Sequence, residues 1–320
     1  MTIASLRVCL LSRTMETDHI VRLELVNATG AELPAFTAGA HIDVHLPNGM
    51  VRQYSLSNSP VERHRYVIGV LRDPASRGGS ECAHSLRVGD EIGISLPRNH
   101  FPLMKSVHTT LLAGGIGVTP LLSMAEQLLL DGADFDIHLC MRSPEHTPFA
   151  ARWAKADFAG RVSLHHDGGE AARRVDIAGL LAKAPPHSMV YVCGPGGFID
   201  AALSAARSQG FGEAQLHREY FSAAPAAPAG RDAPFSVVLE KSGLIIEVAP
   251  GVSILDALRQ RGIEVMASCE QGVCGTCLTR VTAGTPDHRD MFLTEEEQAL
   301  NDQMTVCCSR ALTPSLTLDI

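Results

Sequence analysis

Five of the nine cysteines crowd the last quarter of the 320-residue sequence, and four of them are spaced Cys269-x4-Cys274-x2-Cys277 with a distant Cys307. Thiolates at this spacing hold a plant-type [2Fe–2S] cluster, four sulfurs to two irons. Tetrahedral zinc is the competing chemistry, but zinc sites usually draw on two short cysteine pairs, and here three thiols share one loop. Gly272 and Gly275 lie inside that loop, where the main chain must fold tightly and aim N–H groups at sulfur. Cys307 and Cys308 are adjacent, so both side chains cannot face one cluster, and the spacing makes Cys307 the expected fourth ligand.

Other segments carry groups suited to a nucleotide. In Arg52-Gln53-Tyr54-Ser55-Leu56, an extended reading puts Arg52, Tyr54 and Leu56 on one face and Ser55 on the other. A guanidinium, an aromatic ring and a hydroxyl this close can balance, stack on and hydrogen-bond to a flavin; an ordinary barrel strand is the alternative. Ser76-Arg77-Gly78-Gly79-Ser80 opens a short helix through Leu86, whose first N–H groups suit a phosphate; a simple helix-entry turn is the alternative. Gly114-Gly115-Ile116-Gly117-Val118-Thr119-Pro120 follows an apolar run and opens a helix, with Thr119 as expected N-cap, Pro120 at the first helical position and Gly132 at the far end. Pro120 occupies the last glycine position of a dinucleotide fingerprint, so only a pyrophosphate-binding turn is expected. Cys193-Gly194-Pro195-Gly196-Gly197 ends a later strand, where Cys193 is either near a ligand or a buried core thiol.

These motifs need three kinds of scaffold. Before residue 103, short alternating runs such as His19–Leu25, His41–Leu46 and Tyr66–Leu71 predict an antiparallel β-barrel or sandwich. From Thr109, strands and helices alternate, with Asp136–Cys140 and Met189–Cys193 as further strands of a parallel α/β sheet. The Ala/Pro-rich stretch Ser222–Pro234 reads as a linker. Beyond it a hairpin (Phe235–Glu240, Leu244–Val248) and a helix capped by Ser253 with Asp256 lead into the cysteine loop, the order of a β-grasp domain. Thr294 and Glu297 form a second capping box ahead of a helix over 295–301. The expected domains are 1–103, 104–222, a linker at 223–233, and 234–320.

A formal net charge of −8, from 27 basic and 35 acidic residues, argues against a nucleic-acid partner. Met1–Leu11 lacks the pattern of a signal peptide, and glycines and Pro120 interrupt the apolar window Thr109–Leu130, so no membrane span and a cytoplasmic location are expected.

The set R-x-Y-S, S-R-G-G-S, G-G-x-G-x-T-P, C-G-P and the C-terminal cysteines closely resembles the phthalate dioxygenase reductase family over essentially the whole chain. The resemblance implies a flavin barrel, a nicotinamide domain and a ferredoxin domain in that order, with FMN, NADH and a [2Fe–2S] cluster as cofactors and a Rieske-type aromatic oxygenase or O-demethylase as partner. It implies that Arg52, Tyr54, Ser55 and Leu56 lie along the flavin, that Gly79 and Ser80 hold its phosphate, and that Gly115 and Thr119 lie near the dinucleotide. Cys193 and Gly194 would flank the nicotinamide, making Ser55 and Cys193 the candidate catalytic residues. Residues 217–221 resemble a family segment ending the nicotinamide domain. A reductase serving a cytochrome P450 and a non-catalytic iron–sulfur sensor are the alternatives; residues 142 and 143 leave NADPH open on the sequence alone.

Overall fold

The computed structural model describes residues 5–74, 76–222 and 232–320, so residues 223–231 of the expected linker lie outside the described residues. The chain divides into two units, Met1–Glu219 and Tyr220–Ile320.

The first unit begins with β1 (Ser5–Thr17), β2 (Ile20–Asn27), β3 (His41–His45), β4 (Val51–Ser55), β5 (Tyr66–Leu71), α1 (Gly79–Ser85) and β6 (Glu91–Ser95). The strands form one antiparallel sheet in the order β4-β3-β6-β1-β2-β5. A bridge between Leu56 and Ile68 joins its two ends into a barrel. Alternating residues such as Val8 and Leu10, Leu23 and Leu25, and Ile92 and Ile94 point inward to make its core, as a strand period of two requires.

A second sheet follows, from β7 (Thr109–Gly114), α2 (Val118–Leu130), β8 (Phe135–Met141), α3 (Ala150–Trp153), β9 (Val162–His166), α4 (Ile177–Leu181), β10 (Met189–Gly194), α5 (Gly196–Ser208) and β11 (Leu216–Tyr220). Its order is β11-β10-β7-β8-β9, with β10, β7, β8 and β9 mutually parallel. Every residue of β7 is buried, the condition of a parallel strand covered on both faces. One helix start differs from expectation. A 3₁₀ turn, Gly115–Gly117, runs straight into α2 with Gly117 already in right-handed helical geometry, so Thr119 lies inside the helix. Its hydroxyl donates to the Ile116 carbonyl at 3.1 Å instead of capping. The far end is as expected, with Gly132 at φ +63° and its N–H on the Leu129 carbonyl.

The second unit contains β12 (Phe235–Leu239), β13 (Ile245–Val248), α6 (Ile254–Gln260), β14 (Leu278–Ala283), β15 (Pro286–Asp287), α7 (Glu295–Leu300), β16 (Gln303–Thr305), β17 (Arg310–Ala311) and β18 (Ser315–Leu318). The main sheet runs β13-β12-β18-β14-β16, with β12 and β18 parallel, and α6 supplies Ile254, Leu255 and Leu258 to the core. This is the β-grasp arrangement. Ser253 caps α6 by accepting the Asp256 N–H at 3.0 Å, but the Asp256 carboxylate takes the Ser253 hydroxyl rather than its N–H. At α7 both halves of the capping box form between Thr294 and Glu297.

Arg310 is 4% exposed and ties the start of this unit together. Its guanidinium donates to the carbonyls of Val252, Ala233 and Ala249, pairs with Asp232, and lies 5.0 Å from the Phe235 ring centroid. Removing a buried cation strands its acceptors and its counter-ion. Arg310→Ala is expected to destabilise the second unit by about 3 kcal/mol, read as a lower urea midpoint for that unit in the full chain with the first unit's midpoint unmoved.

Candidate functional site

Two places in the first unit gather the nucleotide motifs. At the barrel, β4 carries Arg52 to the start of α1, where Gly78 adopts φ +101° and the first-turn N–H groups have no partner within the helix. A Cβ on Gly79 would come within 2.5 Å of Arg52 Nε, so only glycine lets the guanidinium cross this helix end. A cation and free N–H groups at one point can take a phosphate. The Ser80 hydroxyl accepts the Asp73 N–H at 3.1 Å, which shapes the preceding loop. Tyr54 is half-buried against the barrel core, and burial raises its phenol well above the usual range. Leu56 stands apart from this group, its side chain fully buried in the core.

At the carboxyl edge of the parallel sheet, β7 and β10 end side by side, with Cys193 paired to Ala113. A Cβ on Gly117 would lie 2.2 Å from the Cys193 carbonyl oxygen, and one on Gly194 2.9 Å from Gly114 Cα. Gly115, by contrast, has φ +54° and nothing within 4 Å of where its Cβ would stand, leaving room above the turn. Thr119 is 2% exposed, and a Cβ on Gly69 of β5 would lie 2.8 Å from its methyl group. Its side chain therefore joins the turn to the barrel.

Ser55 and Glu219 meet across 164 residues, the hydroxyl donating to the carboxyl at 3.4 Å. Glu219 keeps partial solvent exposure, yet the protein packs so densely around the carboxyl that desolvation pushes its pKa up to about 8. Cys193 is fully buried, and burial, then the nearby Glu219 charge, holds its thiol far above the usual range. The proximity of Glu219 was not legible in the sequence, beyond its place in the 217–221 segment, because the contact joins β4 to β11, far apart along the chain.

In the second unit the Cys269 thiol hydrogen-bonds with those of Cys274 and Cys307, and Cys307 with those of Cys277 and Cys308. The N–H groups of Gln271, at 3.4 Å, and of Val273 point at the Cys269 sulfur. Convergent thiols and N–H groups aimed at sulfur are the donor set a [2Fe–2S] cluster takes, so these residues fit the group. Among the described residues, no three acidic, histidine or cysteine side chains are grouped about a single-ion position. Gly272 (φ +72°) and Gly275 (φ +68°) are also required by packing: added Cβ atoms would lie 2.3 Å from Cys308 Sγ and 2.3 Å from the Phe292 ring, respectively. Cys308 lies against Gly272, with Thr305 Oγ1 3.2 Å away.

A family model described as a 2Fe–2S iron–sulfur cluster binding domain matches residues 237–312. The vanillate O-demethylase oxidoreductase of Pseudomonas putida is 53% identical over 312 residues, covering 97% of this chain and 98% of the relative. The phthalate dioxygenase reductase of Burkholderia cepacia is 40% identical over 318 residues, covering 98% and 97%. The solved structure of a phthalate dioxygenase reductase, described as modular for electron transfer from pyridine nucleotides to [2Fe–2S], superposes with a TM-score of 0.77 at 39% identity, covering 99% of this chain and 98% of that one. The chain belongs to the phthalate dioxygenase reductase family. It is accordingly an oxidoreductase, the reductase component of an oxygenase system, and the family's FMN, NADH and [2Fe–2S] cluster are its cofactors. Among the described residues no helix is long and apolar enough to cross a membrane.

Cys307 and Cys308 are separated by their surroundings, one among the other thiols and one behind the loop. Cys307→Ser is expected to abolish or strongly disturb the cluster's visible absorbance, and Cys308→Ser to retain it. The reverse pattern would assign the ligand to Cys308.

Proposed function

We propose that this chain takes electrons from NADH in preference to NADPH and delivers them, in the cytoplasm, to a Rieske-type O-demethylase or aromatic oxygenase. Residues 1–103 form the FMN-binding domain, 104–222 the NAD-binding domain and 234–320 the ferredoxin domain, joined by 223–233. The observation that carries this reading is the convergence of four thiols in a unit that follows a barrel with a guanidinium at a helix start. The Pseudomonas putida relative, named for vanillate O-demethylation, supports an aryl methyl ether as the oxygenase's substrate class.

FMN supplies the conversion of a two-electron hydride into the single electrons that a [2Fe–2S] cluster accepts. Arg52 and the N–H groups of Gly79 and Ser80 hold its phosphate. Tyr54 and Ser55 line its ring and ribityl chain, and Leu56 can contribute only main chain there. The Gly115 turn takes the dinucleotide, Thr119 keeps that turn against the barrel, and Cys193 with Gly194 bounds the nicotinamide position. Ser55 would lie beside the flavin ring with its hydroxyl bonded to Glu219, whose carboxyl burial favours in the neutral form. Cys269, Cys274, Cys277 and Cys307 would hold the two irons of the cluster.

A second acceptor class has a specific observation behind it. A type IV self-sufficient cytochrome P450 monooxygenase superposes on 99% of this chain at 35% identity and a TM-score of 0.86, this chain covering 41% of that protein. Anaerobic NADH should reduce both flavin and cluster absorbance, kcat/KM should be higher with NADH than with NADPH, and the reduced protein should discharge to a Rieske oxygenase faster than to a P450. Failure of NADH to reduce the purified protein would overturn the reading, and faster discharge to a P450 would change the partner.

The raised pKa of Glu219 sets a sign: the neutral acid prevails below about pH 8 and is lost above it. Flavin reduction by NADH should therefore slow as pH rises through about 8, and Glu219→Gln should flatten that profile. Ser55→Ala should slow flavin reduction about tenfold, the worth of one hydrogen bond, while flavin content changes less. Equal loss of both in stopped-flow and flavin-content assays would make Ser55 a binding residue only.

A further inference from the structure

In the second unit, Asp290 has a side chain with no solvent exposure. Its carboxylate accepts the Leu293 N–H at 2.8 Å and the Ser309 hydroxyl at 3.3 Å, and the His288 imidazole is 3.6 Å away. Among the described residues no lysine or arginine pairs with it; neighbouring Arg289 turns instead to Asp232 and Asp287.

The position of this anion matters more than its burial. A Cβ on Gly272, midway along the loop between Cys269 and Cys274, would lie 3.0 Å from Asp290 Cβ, and the next residue, Met291, donates its N–H to the Gly272 carbonyl at 3.0 Å. Ser309, the carboxylate's hydroxyl donor, stands two residues beyond Cys307. Asp290 thus touches both segments that bring thiols together, without being one of the ligands.

We infer that Asp290 is a positioning residue that sets the cluster's reduction potential, its buried charge opposing the arrival of an electron. The inference rests on the proposed ligand set. A charge in a weakly screened interior acts on a neighbouring redox group far more strongly than one at the surface. The hydrogen bond from Ser309 partly offsets that charge, so removing the carboxylate and removing its donor should move the potential in opposite directions. A purely structural role has no reason to do so.

The test is a redox titration of the intact holoprotein, following the cluster by electron paramagnetic resonance. Asp290→Asn, which keeps the shape of the side chain, is expected to raise the ratio of reduced to oxidised cluster at a fixed ambient potential about tenfold, an upward midpoint shift of about 59 mV for a one-electron couple. Ser309→Ala is expected to lower the midpoint. An unmoved midpoint in an Asp290→Asn protein with its cluster intact would overturn the inference. If that variant fails to assemble a cluster, Ser309→Ala decides alone: a fall supports the inference, and no change or a rise overturns it. Absence of the cluster signal from the unsubstituted protein would instead count against the ligand set.

Discussion

The first unit depends on a contact too close to admit a methyl group. Gly117 lies against the carbonyl of Cys193 where β7 and β10 end together, and Gly194 lies against Gly114. Without side chains there, the 3₁₀ turn after β7 can sit on the end of β10 and leave open space above Gly115. The same turn carries Ile116 and Thr119 to Gly69 of β5, so the edge of the parallel sheet and the wall of the barrel are set by one run of backbone. Hydride transfer requires two rings in register, and in the proposed function this junction would give the two half-sites a common reference.

The second unit applies a related constraint to different chemistry. Its ligand loop passes through left-handed geometry at Glu270 as well as at Gly272 and Gly275, which turns successive N–H groups toward sulfur. The outer side of the loop is then closed by Cys308, Asp290 and Phe292, each against a glycine. The glycines therefore serve two faces at once, shaping the thiol side and admitting the packing behind it. Arg310 performs the corresponding task at the entrance to the unit, where its guanidinium ties the Ala233 and Ala249 carbonyls together.

Local patterns were legible in the sequence where one residue decides the outcome. The Thr294–Glu297 box, the stop at Gly132 and the strand at Tyr66–Leu71 rest on rules that operate within a few residues, and the structure has each element in place. The start of α2 was not legible, because Thr119 has the chemistry of a cap and only the close approach of Gly117 to β10 pulls the helix start ahead of it. Long-range partners were hidden for a similar reason. Nothing near Ser55 in sequence names Glu219, and nothing near Cys269 names Asp290; each contact exists only once separate segments have packed.

Those two hidden carboxyls show how environment divides a single chemistry. Glu219 receives one hydroxyl at 3.4 Å within dense surrounding protein, so desolvation dominates and the neutral acid is favoured. Asp290 receives an N–H at 2.8 Å and a hydroxyl at 3.3 Å, two donors where Glu219 has one. In the function proposed above, a neutral acid would suit the flavin end, where uptake of a hydride adds negative charge. On the inference drawn above, a carboxylate beside the cysteine loop would disfavour retention of an electron there and so favour onward transfer. The surroundings of two side chains would then favour the same direction of electron flow as the order of the cofactors.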